Sequence, residues 1–456
     1  MSIGIDIVRG QAIQSIGALS HEQRLTVMTD SRNMVENGLF VPLKGERFNG
    51  HQFLEQAIQN GAVAAVWMER EPLPENVPEG FPVFFVRDTL VALQSMAKSY
   101  LNQVNPKIIA VTGSNGKTTT KDMIHSILSQ TFKVYKTQGN LNNHIGVPLT
   151  ILSMPEDTQI LVLEMGMNHF GELTFLSQLA KPKIAVITNI GESHIEYLGS
   201  REGIAKAKLE IVKGLRKKGT LIIDGDEPLL ANIHSHAFQI VRCGYGMQNE
   251  WQITEANESV DGASFSLNGK QERFSVPVLG KHNVKNAVYS FAVARLLGAD
   301  MEMIRHGLER LRLTKMRFEK VAGMRGSVLI NDCYNANPTS MKASVETLKA
   351  LPGFERRVAV LGDMYELGEN EMALHESVAD VLTKPLTHVV TIGSKGAWIA
   401  EGLRKRHSES ELEVHTYATK EEAVTYLDSL LDEKTIMLFK ASRLLALEEL
   451  SDKFRA

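Results

Sequence analysis

Cysteine is nearly missing from this chain, which has two, Cys243 and Cys333, in 456 residues. They lie far apart and without metal-ligand spacing, which fits a reduced, cytoplasmic setting. Long apolar runs are missing as well. None approaches the length that spans a bilayer, and Asp6 and Arg9 interrupt any candidate signal core, so neither membrane insertion nor processing is expected. An excess of charge is also absent. Fifty basic residues against fifty-three acidic ones leave a formal charge of -3, which gives no electrostatic case for nucleic acid or a membrane surface as main partner. There is no short-period repeat and no low-complexity tract. What remains is a globular composition, 43% hydrophobic and 23% charged, in a chain long enough for about three domains.

The stretch that organises the chain is Thr112 to Thr120, TGSNGKTTT. Before it, Ile108 to Val111 form an apolar run of the kind found in a strand buried on both faces. After it, Met123, Ile124, Ile127 and Leu128 recur at helical spacing. Strand, glycine-rich turn and helix together predict a phosphate site. Gly113 and Gly116 let backbone N–H groups approach an anion, the helix N-terminus adds partial positive charge, and Lys117 adds a full one. Thr118 is placed to reach a magnesium ion. The loop is shorter than the usual Walker form, with Ser114 and Asn115 alone between the first glycine and the Gly-Lys pair.

Apolar runs then divide the chain into three α/β units, taken as residues 1–101, 102–313 and 314–456. In the first, Gly38 to Leu43, Ala62 to Met68 and Val83 to Val86 read as strands, Phe53 to Ile58 as helix, and the proline-rich Glu71 to Pro82 as loop. Thr29 to Arg32 and Lys44 to His51 read as polar strand-end turns. In the second, Ile160 to Met165, Ile184 to Asn189 and Thr220 to Ile223 alternate with helices, which predicts a mostly parallel sheet covered on both faces. Trp251 to Val278 reads as an antiparallel flap, followed by helices over Val284 to Leu297 and Met301 to Leu311. The third unit restarts the alternation, with strands at Val328 to Asn331, Val358 to Leu361, Val389 to Ile392, Val414 to Tyr417 and Ile436 to Phe439, a second open sheet.

Chemistry is expected at strand C-termini. Glu164 ends one buried run and can hold the magnesium that bridges nucleotide phosphates, or cap a strand. His194 follows the next strand as a candidate metal ligand or substrate contact. In the helix expected over Ser200 to Leu215, Lys206 and Lys208 are two apart and point to different faces, so one of them at most faces the site. Asn283 and Asn286 open a later helix, where they can cap it or read a purine edge.

These segments together resemble the Mur ligases, ATP-dependent amide-forming enzymes of peptidoglycan precursor synthesis. The resemblance rests on TGSNGKT, TQGNLNNHIGVPLT (137–150), LEMGMNHFGE (163–172), NIGESHIEYLGS (189–200), AKAKLEI (205–211), GKHNVKNA (280–287), NDCYNANPTSMKAS (331–344), LGDMYELG (361–368) and KASR (440–443). It implies a small N-terminal domain for the UDP-sugar-peptide, a central P-loop ATPase-like domain and a C-terminal Rossmann-like domain for the acceptor. It implies that Gly113, Ser114, Asn115, Gly116, Lys117, Thr118 and Thr119 hold ATP, that Thr118, Glu164 and His194 hold magnesium, and that Lys208 is the lysine carbamylated in related ligases. Asn283 and Asn286 would meet adenine, and Arg317 and Asp332 would bring the third domain onto the nucleotide. Ser31, Arg32 and Lys44 to His51, Arg47 among them, would lie on the UDP side, and Asn140, Asn142 and Asn143 near the sugar-peptide.

The Asp-Asn-Pro motif that reads diaminopimelate is absent, and Asn335-Ala336-Asn337-Pro338 stands nearest to it. This implies a dipeptide-adding member that joins D-alanyl-D-alanine to a UDP-N-acetylmuramoyl-tripeptide, with Tyr334, Asn335, Asn337 and Arg443 on the acceptor side. A cytoplasmic monomer is expected. The other readings are the tripeptide-forming ligase, a folylpolyglutamate synthase, a nucleotide switch or motor, and a non-catalytic nucleotide-binding module.

Overall fold

The computed structural model describes residues 2–45, 48–259, 261–312, 314–406 and 412–456. The fold is α/β and contains three sheets of six, nine and six strands. In the first sheet the inner strands Arg24–Met28, Gly38–Phe40, Ala62–Met68 and Val83–Val86 run parallel, and Ile3–Gly4 and Gln14–Ile16 pair antiparallel at the two edges.

The central sheet is parallel from Val134–Lys136 through Ile160–Glu164, Lys107–Thr112, Ile184–Ile187, Thr220–Asp224 and Gln239–Gly244 to Trp251–Ser259. Two antiparallel strands, Gly262–Leu267 and Arg273–Val276, complete it. The expected flap is therefore an extension of the same sheet. Its aromatics explain why, since Trp251 and Phe274 pack edge-on against Phe291 of the helix Lys281–Leu296.

Alternation along the phosphate-loop strand shows how it is buried. Ile108 and Ala110 enter one core layer, while Ile109 and Val111 enter the other. The first layer is shared with the first sheet through the helix Thr89–Val104, whose Tyr100 hydroxyl donates to the carbonyl of Met154 at 2.8 Å. The second layer lies under the helices Lys117–Leu128, Lys281–Leu296 and Met301–Glu309. Burying such aliphatic side chains contributes about 1.5–3 kcal/mol each.

The third sheet runs Glu319–Ala322, Val328–Asn331, Thr435–Lys440, Arg356–Gly362, His388–Ile392 and Glu413–Tyr417. All neighbours are parallel except the first pair.

The helix expected over Ser200 to Leu215 is α-helical only over Arg201–Leu209 and tightens to a 3-10 turn over Glu210–Gly214. Tertiary bonds account for the change. Glu210 accepts the N–H groups of Gly171 and Thr174, and Gly214 N donates to Ser177 Oγ at 3.0 Å. Among the described residues no helix is long and apolar enough to cross a membrane.

Candidate active site

The strand Lys107–Thr112 delivers the loop at the sheet's C-terminal edge, and the helix Lys117–Leu128 starts directly after it. Two glycines are required here. Gly113 has φ +147° and a Cβ on it would sit 1.8 Å from Thr188 Oγ1, while Gly116 has φ +78° and its Cβ would sit 2.5 Å from Asn286 Oδ1. Neighbouring strand ends hold the loop in shape. Asn115 N donates to Asn189 Oδ1 at 3.0 Å, Gly191 N donates to Ser114 Oγ at 2.9 Å, and Thr188 Oγ1 donates to the Asn115 carbonyl at 2.5 Å. Lys117 curls over the loop, with Nζ donating to the Gly113 carbonyl at 2.8 Å. Burial pushes its pKa down, Glu164 opposes this, and Arg317 adds to it.

Thr118 Oγ1 donates to Glu164 Oε2 at 2.9 Å, and Asn142 Nδ2 donates to Glu164 Oε1 at 2.9 Å. Lys121 Nζ lies 3.6 Å from Glu164 Oε2. A hydroxyl and a carboxylate side by side are hard oxygen donors of the kind magnesium takes alongside phosphate oxygens and water. Among the described residues no group of three or more His, Cys, Asp or Glu could hold a metal. The donor set therefore suits an ion brought in on a nucleotide rather than a cage made by the protein alone. His194, at φ +63°, has Nδ1 2.6 Å from Glu366 Oε2 of the third unit. That contact holds the Glu366 carboxyl below the usual range.

The third unit reaches the loop at several points. Arg317 Nη2 donates to Thr118 Oγ1 at 3.2 Å while its guanidinium lies 3.8 Å over the Tyr334 ring. Asn337 Nδ2 donates to Asn115 Oδ1 at 2.8 Å and to Ser193 Oγ at 2.7 Å, and Thr339 N donates to Glu192 Oε2 at 3.1 Å. Asn337 also caps the helix Pro338–Ala350, with Ser340 completing a capping box. Behind these contacts a cavity of about 90 Å³ is lined by Gly116, Thr119, Asn283, Asn286, Arg317 and Asp332, among others. Asp332 is fixed by Lys440 Nζ at 2.6 Å and Ser344 Oγ at 2.7 Å. Neither asparagine caps its helix: Asn283 Nδ2 donates to the Leu279 carbonyl and Asn286 Nδ2 to Asn283 Oδ1, while Gly280 holds the cap position.

Comparison with known proteins gives three successive matches: the Mur ligase family catalytic domain over residues 26–101, the Mur ligase middle domain over 111–294, and the Mur ligase glutamate ligase domain over 316–443. The chain belongs to the Mur ligase family. It is 48% identical to the UDP-N-acetylmuramoyl-tripeptide--D-alanyl-D-alanine ligase of Bacillus subtilis (strain 168), over 93% of this chain and 92% of the relative. It is 34% identical to the ligase of the same name from Escherichia coli (strain K12), over 93% and 92%. Among solved structures, MurF from Acinetobacter baumannii superposes with a TM-score of 0.86 at 32% identity, covering 99% of this chain and 98% of that one. MurF ligase from Thermotoga maritima in complex with ADP gives 0.82 at 28%, covering 94% and 96%.

In this Mur ligase the two candidate lysines are cleanly separated. Lys208 is 2% exposed and its Nζ has no hydrogen bond or ion pair among the described residues. Burial pushes its pKa well down, and the charge of Lys117 adds to this. Lys206 is exposed and lies 5.9 Å from the Phe170 ring.

The candidates on the first unit lie at a different cavity, of about 460 Å³, formed by Thr29 to Arg32 with Phe40, Phe48, Phe53 and Gln56. Ser31 Oγ donates to Gln56 Oε1 at 2.7 Å, and Arg32 pairs with Asp30, whose carboxyl its hydrogen bonds pull down to about 2. Lys44 pairs instead with Glu71 at 3.0 Å, and Arg47 lies outside the described residues. The rings of Phe48 and Phe53 stack there 5.2 Å apart; Phe48 falls inside the Lys44 to His51 run, and Phe53 two residues beyond it opens the expected helix.

Of the remaining candidates, Asn142 reaches Glu164, whereas Asn143 caps a local turn through Gly146 N and Asn140 is exposed. Asn335 Oδ1 accepts from Ala336 N. Arg443 is exposed and ion-paired with Glu448. Ser193, Asn189, Glu192, Glu366 and Lys440 complete the constellation, and they were visible in the sequence only as neighbours within motifs.

Proposed function

We propose that the protein joins D-alanyl-D-alanine to UDP-N-acetylmuramoyl-tripeptide at the expense of ATP, giving an amide, ADP and phosphate. The likeness over 93% of the chain to enzymes of that name carries the reading. The convergence of Lys117, Thr118, Glu164 and Arg317 supports its chemistry. Residues 1–101 would take the UDP-sugar-peptide, 102–313 the ATP and 314–456 the acceptor.

A peptide carboxylate is a poor electrophile, so it first takes the γ-phosphoryl group and becomes an acyl phosphate. Lys117 would leave the Gly113 carbonyl for the transferring oxygens, and Arg317 would supply a second cation from the opposite side. Thr118, Glu164 and His194 would hold the magnesium that neutralises phosphate charge when bound. Burial disfavours the charged form of Lys208 and so favours the free amine that reacts with carbon dioxide, and its carbamate would place an anion beside a second magnesium. Asn283, Asn286 and Asp332 would hold the nucleoside in the cavity they line. The contacts of Asn337 and Thr339 close the third unit over the loop and keep water from the acyl phosphate. The dipeptide amine then attacks the acyl carbon, loses its proton, and phosphate leaves.

The test is coupled phosphate release with UDP-sugar tripeptide and ATP, with Lys117→Ala as control. D-Alanyl-D-alanine should support turnover, single amino acids should not, and Lys117→Ala should lower kcat/KM by at least about a hundredfold. Faster turnover of a UDP-sugar dipeptide with diaminopimelate or L-lysine would move the protein one step earlier in the pathway.

A further inference from the structure

Between the turn after His194 and the third sheet lies a cleft of about 940 Å³. One wall is Ile195, Glu196 and Gly199, and the other is the loop from Tyr365 to Glu371 with Lys395. The loop wall is rigidly built. Asp363 Oδ1 accepts from Lys395 N at 2.9 Å and Gly396 N at 2.6 Å, and Ser442 Oγ accepts from Tyr365 N at 3.2 Å. Buried His375 takes Met364 N on Nε2 at 2.9 Å and contacts the Glu371 carbonyl through Nδ1 at 2.7 Å. Burial lowers its pKa, which matches an imidazole that accepts a hydrogen bond.

Among the described residues of the cleft, Lys395 is the one cation. Its Nζ lies 5.1 Å from the Tyr365 ring centroid and pairs with Glu371. The next residue after Tyr365 is Glu366, which touches His194. Glu196 and Glu366 make the cleft acidic at its His194 end, and its single positive charge, Lys395, stands at the Tyr365 ring paired with Glu371. That polarity suits a zwitterion whose ammonium must reach the reaction centre. A dipeptide extends about 7 Å end to end, while a single amino acid covers roughly half of that. Lys395, though paired with Glu371, lines the cleft, whereas Arg443 with Glu448, Lys440 with Asp332, and Arg317 with Thr118 are not among the residues that line it.

We propose that Lys395 receives the free carboxylate of the dipeptide acceptor, which lies along the Tyr365 to Glu371 loop with its amine toward His194. Lys395 is thereby a specificity-determining residue, and Glu371 is the resident counter-ion that the acceptor carboxylate displaces. The inference rests on the ligase reading above.

Its test compares D-alanyl-D-alanine with D-alanyl-D-alaninamide, which lacks the carboxylate, in wild type, Lys395→Gln, Lys395→Arg and Glu371→Gln. Wild type should prefer the free acid by about ten- to a hundredfold in kcat/KM, the worth of one charged hydrogen bond. Lys395→Gln should lose that preference through a raised KM for the dipeptide, with the KM for ATP unchanged, and Lys395→Arg should restore most of it. Glu371→Gln, which releases the ammonium from its resident partner, should lower the KM for the free acid and leave that for the amide unchanged. A free-acid preference that survives in Lys395→Gln, or a raised free-acid KM in Glu371→Gln, overturns the proposal. A wild type that does not ligate the dipeptide at all overturns the ligase reading instead.

Discussion

Lys208 and Lys206 show what residue-level reasoning can and cannot extract. Helical spacing already places them on different faces, but it contains nothing that says which face is buried. The answer depends on the core layer that takes Ile204 and Ala207, to which Lys208 is adjacent. The buried choice has a thermodynamic sign. The fold lowers the pKa of Lys208 from its ordinary 10.5, so as pH falls from that value the unfolded chain takes up the proton first. Stability therefore drops as pH falls through that range, and at neutral pH a buried Lys208 weighs against folding while favouring reaction with carbon dioxide. Lys208→Ala is expected to be nearly inactive in the phosphate-release assay and to regain part of its rate with added acetate, which can occupy the position of the lost anion. Recovery in Lys206→Ala with Lys208→Ala unaffected would assign the role to the wrong lysine.

Apolar runs made strands legible at edges as well as inside: the edge strand Glu413–Tyr417 falls on the expected Val414 to Tyr417, while the inner strands Arg24–Met28 and Gln239–Gly244 were not picked out. Ala62–Met68 and Val83–Val86 fall where their apolar runs predict, and Ile160–Glu164 ends one residue short of its run, because parallel strands between helix layers are apolar on both sides. Gln14–Ile16, wholly exposed, and Val134–Lys136, three residues at the sheet edge, carry no such run and escaped notice. The phosphate loop lies between these cases, since its glycines are conspicuous but the reason for each is tertiary. Gly113→Ala would drive a methyl group into Thr188 at a positive φ, whereas Gly353, at φ +89° with open space around it, meets nothing. Gly353→Ala should cost about 1 kcal/mol in a denaturant titration and spare activity. Gly113→Ala should abolish nucleotide binding measured by calorimetry, and near-normal binding would show that the loop is not shaped by that contact.

At the scale of the molecule, sequence could place three α/β units in order but could not show how the third grips the second. The grip consists of single polar atoms such as Arg317 on Thr118 and Asn337 on Asn115 and Ser193, and one-dimensional patterns do not report pairs separated by well over a hundred positions. The linker into the third unit is fixed in the same way. Buried Asp122 accepts both Thr314 Oγ1 at 2.8 Å and Thr314 N at 3.1 Å, and Met316 and Phe318, flanking Arg317, adopt positive φ. If these contacts keep water from the acyl phosphate, loosening them should uncouple phosphate release from ligation rather than simply slow both. Asn337→Ala removes the cross-unit hydrogen bonds to Asn115 and Ser193 and a helix cap, and the cap alone costs about 1 kcal/mol of stability. With UDP-sugar tripeptide and ATP but no dipeptide, this variant should release phosphate several times faster, relative to its own ligation rate, than wild type does. A ratio unchanged from wild type, with ligation slowed, would mean that Asn337 only positions substrates and that water is excluded elsewhere.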